Sequence, residues 1–168
     1  MAINLPARGI ELVSGFCSGT MVNRDEVLVD IRSINKSVDL RQVDMFAFDN
    51  SMNIVNTKLV STVEDFSAQN WTIDLSSGHH IECVETTILF DMELHWRHVC
   101  NLREGDQLVG VIMDESGMHG EPFYVLRSYR KPASLAEPVY YFETVHHNML
   151  LPHFNEEKKQ LTFICTHQ

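Results

Sequence analysis

The chain has 168 residues, of which 44% are hydrophobic and 21% charged, and these values are typical of one soluble globular domain with its own core. Its net charge of −10 argues against a nucleic-acid-binding surface, and no run of about 18 apolar residues could span a bilayer. The first residues lack the basic start and apolar stretch of a signal peptide, so a cytoplasmic location is expected.

Cysteine and histidine spacing predicts no metal site and no cofactor. The four cysteines (Cys17, Cys83, Cys100 and Cys165) contain no C-x-x-C pair, and reduced, mostly buried thiols are expected. His95 and His98 have H-x-x-H spacing, but no third ligand is evident, so a solvated helix face is the preferred interpretation.

The first half of the chain predicts short strands. Residues 46–50 (FAFDN) read as a strand ending in a turn, and residues 53–63 continue as a β-branched run. Residues 71–75 and 80–84 alternate apolar and polar side chains on either side of Ser-Ser-Gly, which predicts a β-hairpin.

Helical character is confined to two short stretches, around residues 29–36 and 94–101. Trp96, within the second stretch, is expected to anchor the core.

The second half continues as strands, at residues 107–112, 123–126 and 139–142. Residues 113–122 combine two glycines, a proline and acidic side chains without apolar periodicity, and they predict a long exposed loop. With so many short strands and so little helix, the predicted class is all-β.

The end of the sequence suggests chemistry. The apolar run at residues 161–165 leads directly into His167 and Gln168. A side-chain amide can attack its own backbone carbonyl and cut the chain there if a neighbouring histidine assists proton transfer.

Several segments in order resemble the motifs of inteins. Residues 78–90 (GHHIECVETTILF) are similar to G-x-x-I-x-x-T-x-x-H-x-h-h, where h is apolar, and residues 102–108 (LREGDQL) to L-x-x-G-D-x-h. Residues 139–150 resemble V-Y-D-h-x-V…H-N-F-h, and the closing His-Gln is similar to the usual terminal His-Asn. The resemblance covers nearly the whole chain.

The resemblance implies a fold and an architecture. It implies a single Hint domain over residues 1–168, the horseshoe-like all-β fold shared by inteins and Hedgehog autoprocessing domains, with one or two short helices. It also implies a mini-intein without an endonuclease domain, because residues 113–122 stand at the usual insertion point.

The resemblance further implies the upstream site residues. Ala2 takes the position of the first nucleophile, with Cys17 as the rival, and the T-x-x-H positions fall on Val84 and Thr87. The histidine of that motif is therefore missing, and the Thr87 hydroxyl is the nearest remaining donor. His79 or His80 could replace the histidine only if the strand register differs.

The downstream residues follow from the same resemblance. His147 and His167 are the proton-transfer histidines, and Gln168 replaces the Asn that cyclises. Tyr141 stands where the family has Asp. Cys165 precedes His167 by two residues and is expected on the same face of a regular strand, most simply as a buried small residue.

The implied function is protein splicing: an acyl shift, transesterification and C-terminal amide cyclisation, after which the flanking exteins are joined. Such a domain is a single-turnover autocatalyst rather than a turnover enzyme, and its partners are the extein segments of a host protein. With Ala2 at the first position this form is expected to be inactive. The chain is expected to be a monomer, or two fragments if naturally split, without nucleic-acid or membrane partners.

Two other classes remain open. One is a small β-rich phage or bacterial binding module with structural histidines, and the other is a metal-dependent hydrolase that uses the histidine-rich set. A self-processing domain predicts that the two ends of the chain meet at one cleft lined by His147 and His167, whereas a binding module predicts no such convergence.

Overall fold

The computed structural model describes residues 13–24, 27–35, 43–132 and 135–167. In this part of the chain there are fourteen strands, one short α-helix and one 3-10 turn. The strands are β1 Gly15–Cys17, β2 Met21–Arg24, β3 Val27–Asp30, β4 Asp44–Phe48, β5 Ile54–Ser67, β6 Asn70–Leu75, β7 His80–Val84, β8 Ile88–Phe90, β9 Trp96–His98, β10 Gln107–Asp114, β11 Gly117–Arg130, β12 Glu137–Thr144, β13 Asn148–Asn155 and β14 Gln160–His167. The predicted all-β class is confirmed.

Twelve strands form one sheet, in the order β4-β5-β12-β1-β7-β6-β11-β10-β14-β8-β9, with β13 paired to the other side of β14. Strands β2 and β3 form a separate hairpin. The three-residue strand β1 lies between β12 and β7, so an early segment of the chain is paired in the interior of the sheet with one that comes more than 120 residues later. No helix among the described residues is long and apolar enough to cross a membrane.

The predicted hairpin at residues 71–84 is confirmed as β6 and β7, which pair from Asn70↔Val84 to Asp74↔His80. Its turn closes because Gly78 donates its N–H to the Leu75 carbonyl at 2.9 Å, and the φ of +98° at Gly78 is a conformation that favours glycine. The strand alternation places Ile73 and Ile81 in the core.

The two helix predictions fare differently. The first stretch contains α1, Ile31–Asn35. Asp30 caps its N-terminus, because the Asp30 carboxylate accepts the Arg32 N–H at 2.8 Å. The second prediction is wrong: residues 94–101 contain β9 and the 3-10 turn Val99–Asn101. Pairing of β9 with β8 overrides the weak local helical pattern.

The predicted loop at residues 113–122 is also wrong, because β10 and β11 pair directly down to Asp114↔Gly117 and only two residues turn between them. The Asp114 carboxylate accepts the Ser116 N–H at 2.9 Å, which stabilises the tight turn. The polar composition reflects an exposed hairpin tip, since residues 115–121 are exposed.

Three clusters of buried side chains occur among the described residues. The largest joins the inward faces of most strands and includes Phe16, Tyr140 and Leu108. A second surrounds Phe163 and Cys165 on β14, and a third consists of the residues Cys17, Val84 and Val139, with Tyr141 packed against them. The second and third clusters adjoin the two halves of the site described next.

Candidate functional site

The beginning and end of the described chain meet at one residue, Ile88, at the start of β8. The Ile88 N–H donates to Ser14 Oγ at 3.0 Å, and the Ile88 carbonyl accepts from Thr166 Oγ1 at 2.8 Å. In the register of β14 and β8, His167 lies opposite Ile88. The segment entering β1 and the segment leaving β14 therefore converge.

The downstream side of this junction is an open cleft of about 620 Å³. His147 and His167 both line it, as do the aromatic rings of Phe48, Phe90 and Trp96. Both histidines reach the cleft because β13 and β14 pair with Asn148 opposite His167, and His147 immediately precedes Asn148. His147 and His167, which sequence analysis places together, thus line the same cleft.

His147 lies in a strained turn between β12 and β13. Its φ is +62°, in the left-handed region that non-glycine residues seldom adopt, and its N–H donates to the Thr144 carbonyl at 3.1 Å. Such a conformation persists only where the surroundings enforce it. Here it turns the chain into β13, so that residues 145–148 line the cleft.

Asn148 enforces the geometry of the cleft, and sequence reasoning gave it no role. Its Oδ1 accepts the Phe48 N–H at 2.8 Å, and its Nδ2 donates to the Phe48 carbonyl at 2.9 Å. Asn148 thereby fastens the end of β4 to the start of β13 although the two are 100 residues apart. The H-N part of the motif was the signal that could have identified it.

The expectation that Trp96 anchors the core is wrong. Its side chain is 41% exposed. Its ring packs against Phe90 at a tilt of 40°, with 4.4 Å between centroids, and meets the ring of His167 edge-on at 5.0 Å. Trp96 therefore orients His167 from the cleft wall. The error followed from the mistaken helix, since β9 turns this side chain towards β14.

The upstream side of the junction centres on Thr87, which is fully buried. The Gly15 N–H donates to Thr87 Oγ1, and the Thr87 hydroxyl donates to the Gly15 carbonyl, both at 3.2 Å. A hydroxyl has a single proton, and here that proton is engaged by the carbonyl of Gly15 itself. Thr87 thus clamps the backbone of β1 at Gly15, a residue that sequence reasoning did not single out.

The other T-x-x-H position, Val84, and the Asp-replacing Tyr141 also lie on this upstream side. Both contact the cluster that contains Cys17. Burial raises the pKa of the Cys17 thiol, and a hydrogen bond to Glu137 raises it further, so Cys17 is an unreactive core thiol rather than a nucleophile.

Of the remaining secondary candidates, the two histidines of the β6–β7 hairpin have structural partners, and Cys165 lies beneath the cleft. His79 is buried and bonded to Ser77 and to the Leu151 carbonyl, whereas His80 is exposed and paired with Asp74. Cys165 is buried and its Sγ lies 3.5 Å from Asn148 Oδ1, and burial raises its pKa well above the usual value. Ala2 and Gln168 lie outside the described residues.

One group of possible metal ligands occurs among the described residues: Cys17, Glu82 and Glu137, whose ligand atoms lie within 4.8 Å of one another. The Lys131 ammonium already forms ion pairs with both carboxylates, and these contacts hold the Lys131 pKa above its usual range. This cluster is a structural ion-pair network next to the upstream site.

Inteins and intein-like domains of solved structure share this architecture. A bacterial intein-like domain from Clostridium thermocellum is 16% identical, with a TM-score of 0.70 over 92% of this chain and 98% of that domain. The fold is that of an intein. The TvoVMA intein is 14% identical, with a TM-score of 0.73 over 93% of this chain and 98% of its own. The DnaB intein from Synechocystis is 11% identical, with a TM-score of 0.70 over 92% and 97%.

No protein-family model and no curated protein sequence matches the chain. The intein fold is therefore retained at identities where sequence comparison fails, because strand pairing tolerates extensive substitution when inward and outward positions keep their character. The Hint-fold prediction is confirmed.

Proposed function

We propose that the chain is an intein-type self-processing domain whose chemistry acts on peptide bonds of its own flanking segments. The observation that carries the proposal is the convergence at Ile88, where Ser14 on the incoming segment and Thr166 on the outgoing segment bind the same residue. A domain that brings these two segments together supplies proximity, which is worth about 7–11 kcal/mol in well-aligned reactions.

The downstream step is cyclisation of Gln168. Its side-chain amide nitrogen attacks its own backbone carbonyl carbon, a six-membered glutarimide forms, and the C–N bond to the following residue breaks. The amide loses a proton and the departing amine gains one. His147 and His167 line one cleft and are proposed to move those protons.

The partners are then the flanking segments of a host protein, each domain turns over once, and the reaction needs no cofactor because the nucleophile is a side-chain amide. We propose that this form is restricted to the downstream half of splicing, because Ala2 at the first position has no nucleophilic atom. Thr87 stands where the family places an imidazole and slows the upstream step further, since its hydroxyl donates a hydrogen bond but does not shuttle protons near neutral pH.

A fusion with a reporter protein after Gln168 tests the proposal. We expect slow release of the reporter, measured by mass, and faster release from Gln168→Asn because the five-membered ring freezes one rotor fewer. His147→Asn should slow release by about 100-fold or more, since Asn adopts positive φ readily but cannot transfer protons.

The matched control is His80→Asn, which changes an exposed histidine on β7 and should leave the rate unchanged. Release from Gln168→Ala at the rate of the parent would contradict cyclisation. So would the absence of release from a folded Gln168→Asn fusion.

A binding module with structural histidines is the second candidate. It is favoured by the saturated hydrogen bonding of Thr87 and by the apolar contacts of Val84, both of which describe a structural rather than a reactive upstream side. This candidate predicts that no variant at residue 168 releases the reporter.

A further inference from the structure

The positions at which the chain departs from the intein pattern on the upstream side lie together. Val84, in place of the motif threonine, packs with Cys17 and Val139, and Tyr141, in place of the motif aspartate, packs against the same cluster. The third departure, Thr87, bonds to both backbone groups of Gly15.

Gly15 has no room for a side chain. It lies directly opposite Tyr141 in the pairing of β1 and β12, and the Tyr141 ring folds over it. A Cβ at residue 15 would be 2.7 Å from Cζ of that ring and 2.8 and 2.9 Å from the two flanking carbons. An aromatic ring over a cross-strand glycine stabilises a strand pair that would otherwise lose packing.

We propose that Gly15, and not Ala2, occupies the position of the upstream nucleophile, and that Tyr141 closes this position by filling the volume its side chain would need. The inference rests on the proposed self-processing function. This proposal places the upstream junction at the Ser14–Gly15 peptide bond. The nitrogen of that bond is the Gly15 N–H, which donates to Thr87 Oγ1.

The reaction that Tyr141 prevents can be written for a cysteine substituted at residue 15. The sulfur attacks the Ser14 carbonyl carbon, a C–S bond forms and the C–N bond breaks, and the thiol proton ends on the freed amine. An external thiol can then displace the cysteine and release everything up to Ser14 as a thioester. Removal of the ring is required because the Cβ has no space beside it.

The first test is a double-mutant cycle of Gly15→Ala and Tyr141→Ala, read as thermal midpoints. Gly15→Ala should lower the midpoint by about 4 °C or more when Tyr141 is present, because overpacking strains the pair. In the Tyr141→Ala background the same change should have almost no effect. An equal loss in both backgrounds would overturn the role of Tyr141.

The second test places a reporter before the chain and adds excess dithiothreitol. Gly15→Cys combined with Tyr141→Ala should release the reporter by cleavage of the bond that follows Ser14, identified by mass, at least 10-fold faster than Gly15→Cys alone. Ala2→Cys combined with Tyr141→Ala is the matched control and should not cleave at residue 2. If the thermal cycle shows coupling but no variant cleaves before residue 15, the assignment of Gly15 is overturned.

Failure of this inference and failure of the proposed function are distinguishable in the same proteins. Release of a second reporter after Gln168 reads the downstream reaction by itself, and it depends on neither Gly15 nor the reagent.

Discussion

The imidazole of His79 is held neutral by its surroundings. Because the Leu151 carbonyl can only accept, Nε2 carries the hydrogen and donates to it at 2.9 Å, and Nδ1 accepts from the Ser77 hydroxyl at 2.6 Å. Complete burial, together with a smaller effect of the nearby ring of His153, 5.3 Å away, lowers the pKa of His79 to about 3. His79 is thus a structural residue that joins the β6–β7 turn to β13.

His79 should make the fold acid-sensitive. Above about pH 6.5 it is neutral in both states, but as the pH falls towards 3 the unfolded chain takes up a proton that the folded chain does not. Stability should therefore fall by up to about 1.4 kcal/mol per pH unit from this residue. His79→Gln, which keeps a donor for Leu151, should give a shallower decline in urea unfolding between pH 7 and 4.5.

The opposite sign is expected for His80, whose pKa is raised by its hydrogen bond to Asp74. Its contribution is present below the unfolded pKa and is lost as the pH rises through the folded value, so His80→Gln should steepen the acid decline. Identical slopes for the parent and the His79→Gln variant would contradict the neutral, buried state of His79.

Among the elements, the β10–β11 hairpin separates a permissive tip from a constrained base. The tip at residues 115–116 makes its contacts within the turn, whereas further down β10 is paired on both sides, with β11 and with β14. Gly110 lies in this doubly paired part, where a Cβ would meet the ring of Phe123.

An insertion experiment should separate the two regions. Gly-Ser-Gly inserted between Glu115 and Ser116 should leave the thermal midpoint within about 2 °C of the parent, because only the turn lengthens. The same insertion between Val111 and Ile112 should abolish cooperative unfolding, since an odd insertion turns every following side chain of β10 to the other face. Similar losses from both insertions, measured by thermal denaturation, would refute this division.

Across the molecule, the sheet is completed by pairings between distant segments. Gly15 pairs with Tyr141 across 126 residues, and Asn148 bonds to Phe48 across 100. Each such pairing requires a large loop to close before any contact compensates for the lost chain entropy. These long-range pairings, and the site that depends on them, are therefore expected to form late in folding, after the local hairpins.

Refolding from urea should take milliseconds to seconds, as in other all-β domains dominated by non-local pairing. Tryptophan fluorescence after rapid dilution measures it, because Trp71 packs at the core and Trp96 beside His167. A relaxation that is complete within microseconds would show that local hairpins, and not the β1–β12 pairing, limit folding.

The local sequence pattern was sufficient to predict a strand where the strand's own residues alternate between apolar and polar. The alternation at residues 71–75 and 80–84 predicted β6 and β7, and the ordered motifs predicted the Hint fold and a cleft lined by both His147 and His167. The local pattern gave the wrong prediction at residues 94–101 and 113–122. There, pairing with a neighbouring strand and a two-residue turn determined the secondary structure.

Periodicity and motif spacing were enough to predict the all-β class and the intein-like order of motifs, because both are properties of the chain alone. Tertiary packing was needed to bring Trp96 to His167, Thr87 to Gly15 and the Tyr141 ring over β1. Those contacts depend on cross-strand register between segments far apart in the chain, and register is decided by how a whole sheet packs rather than by any local pattern.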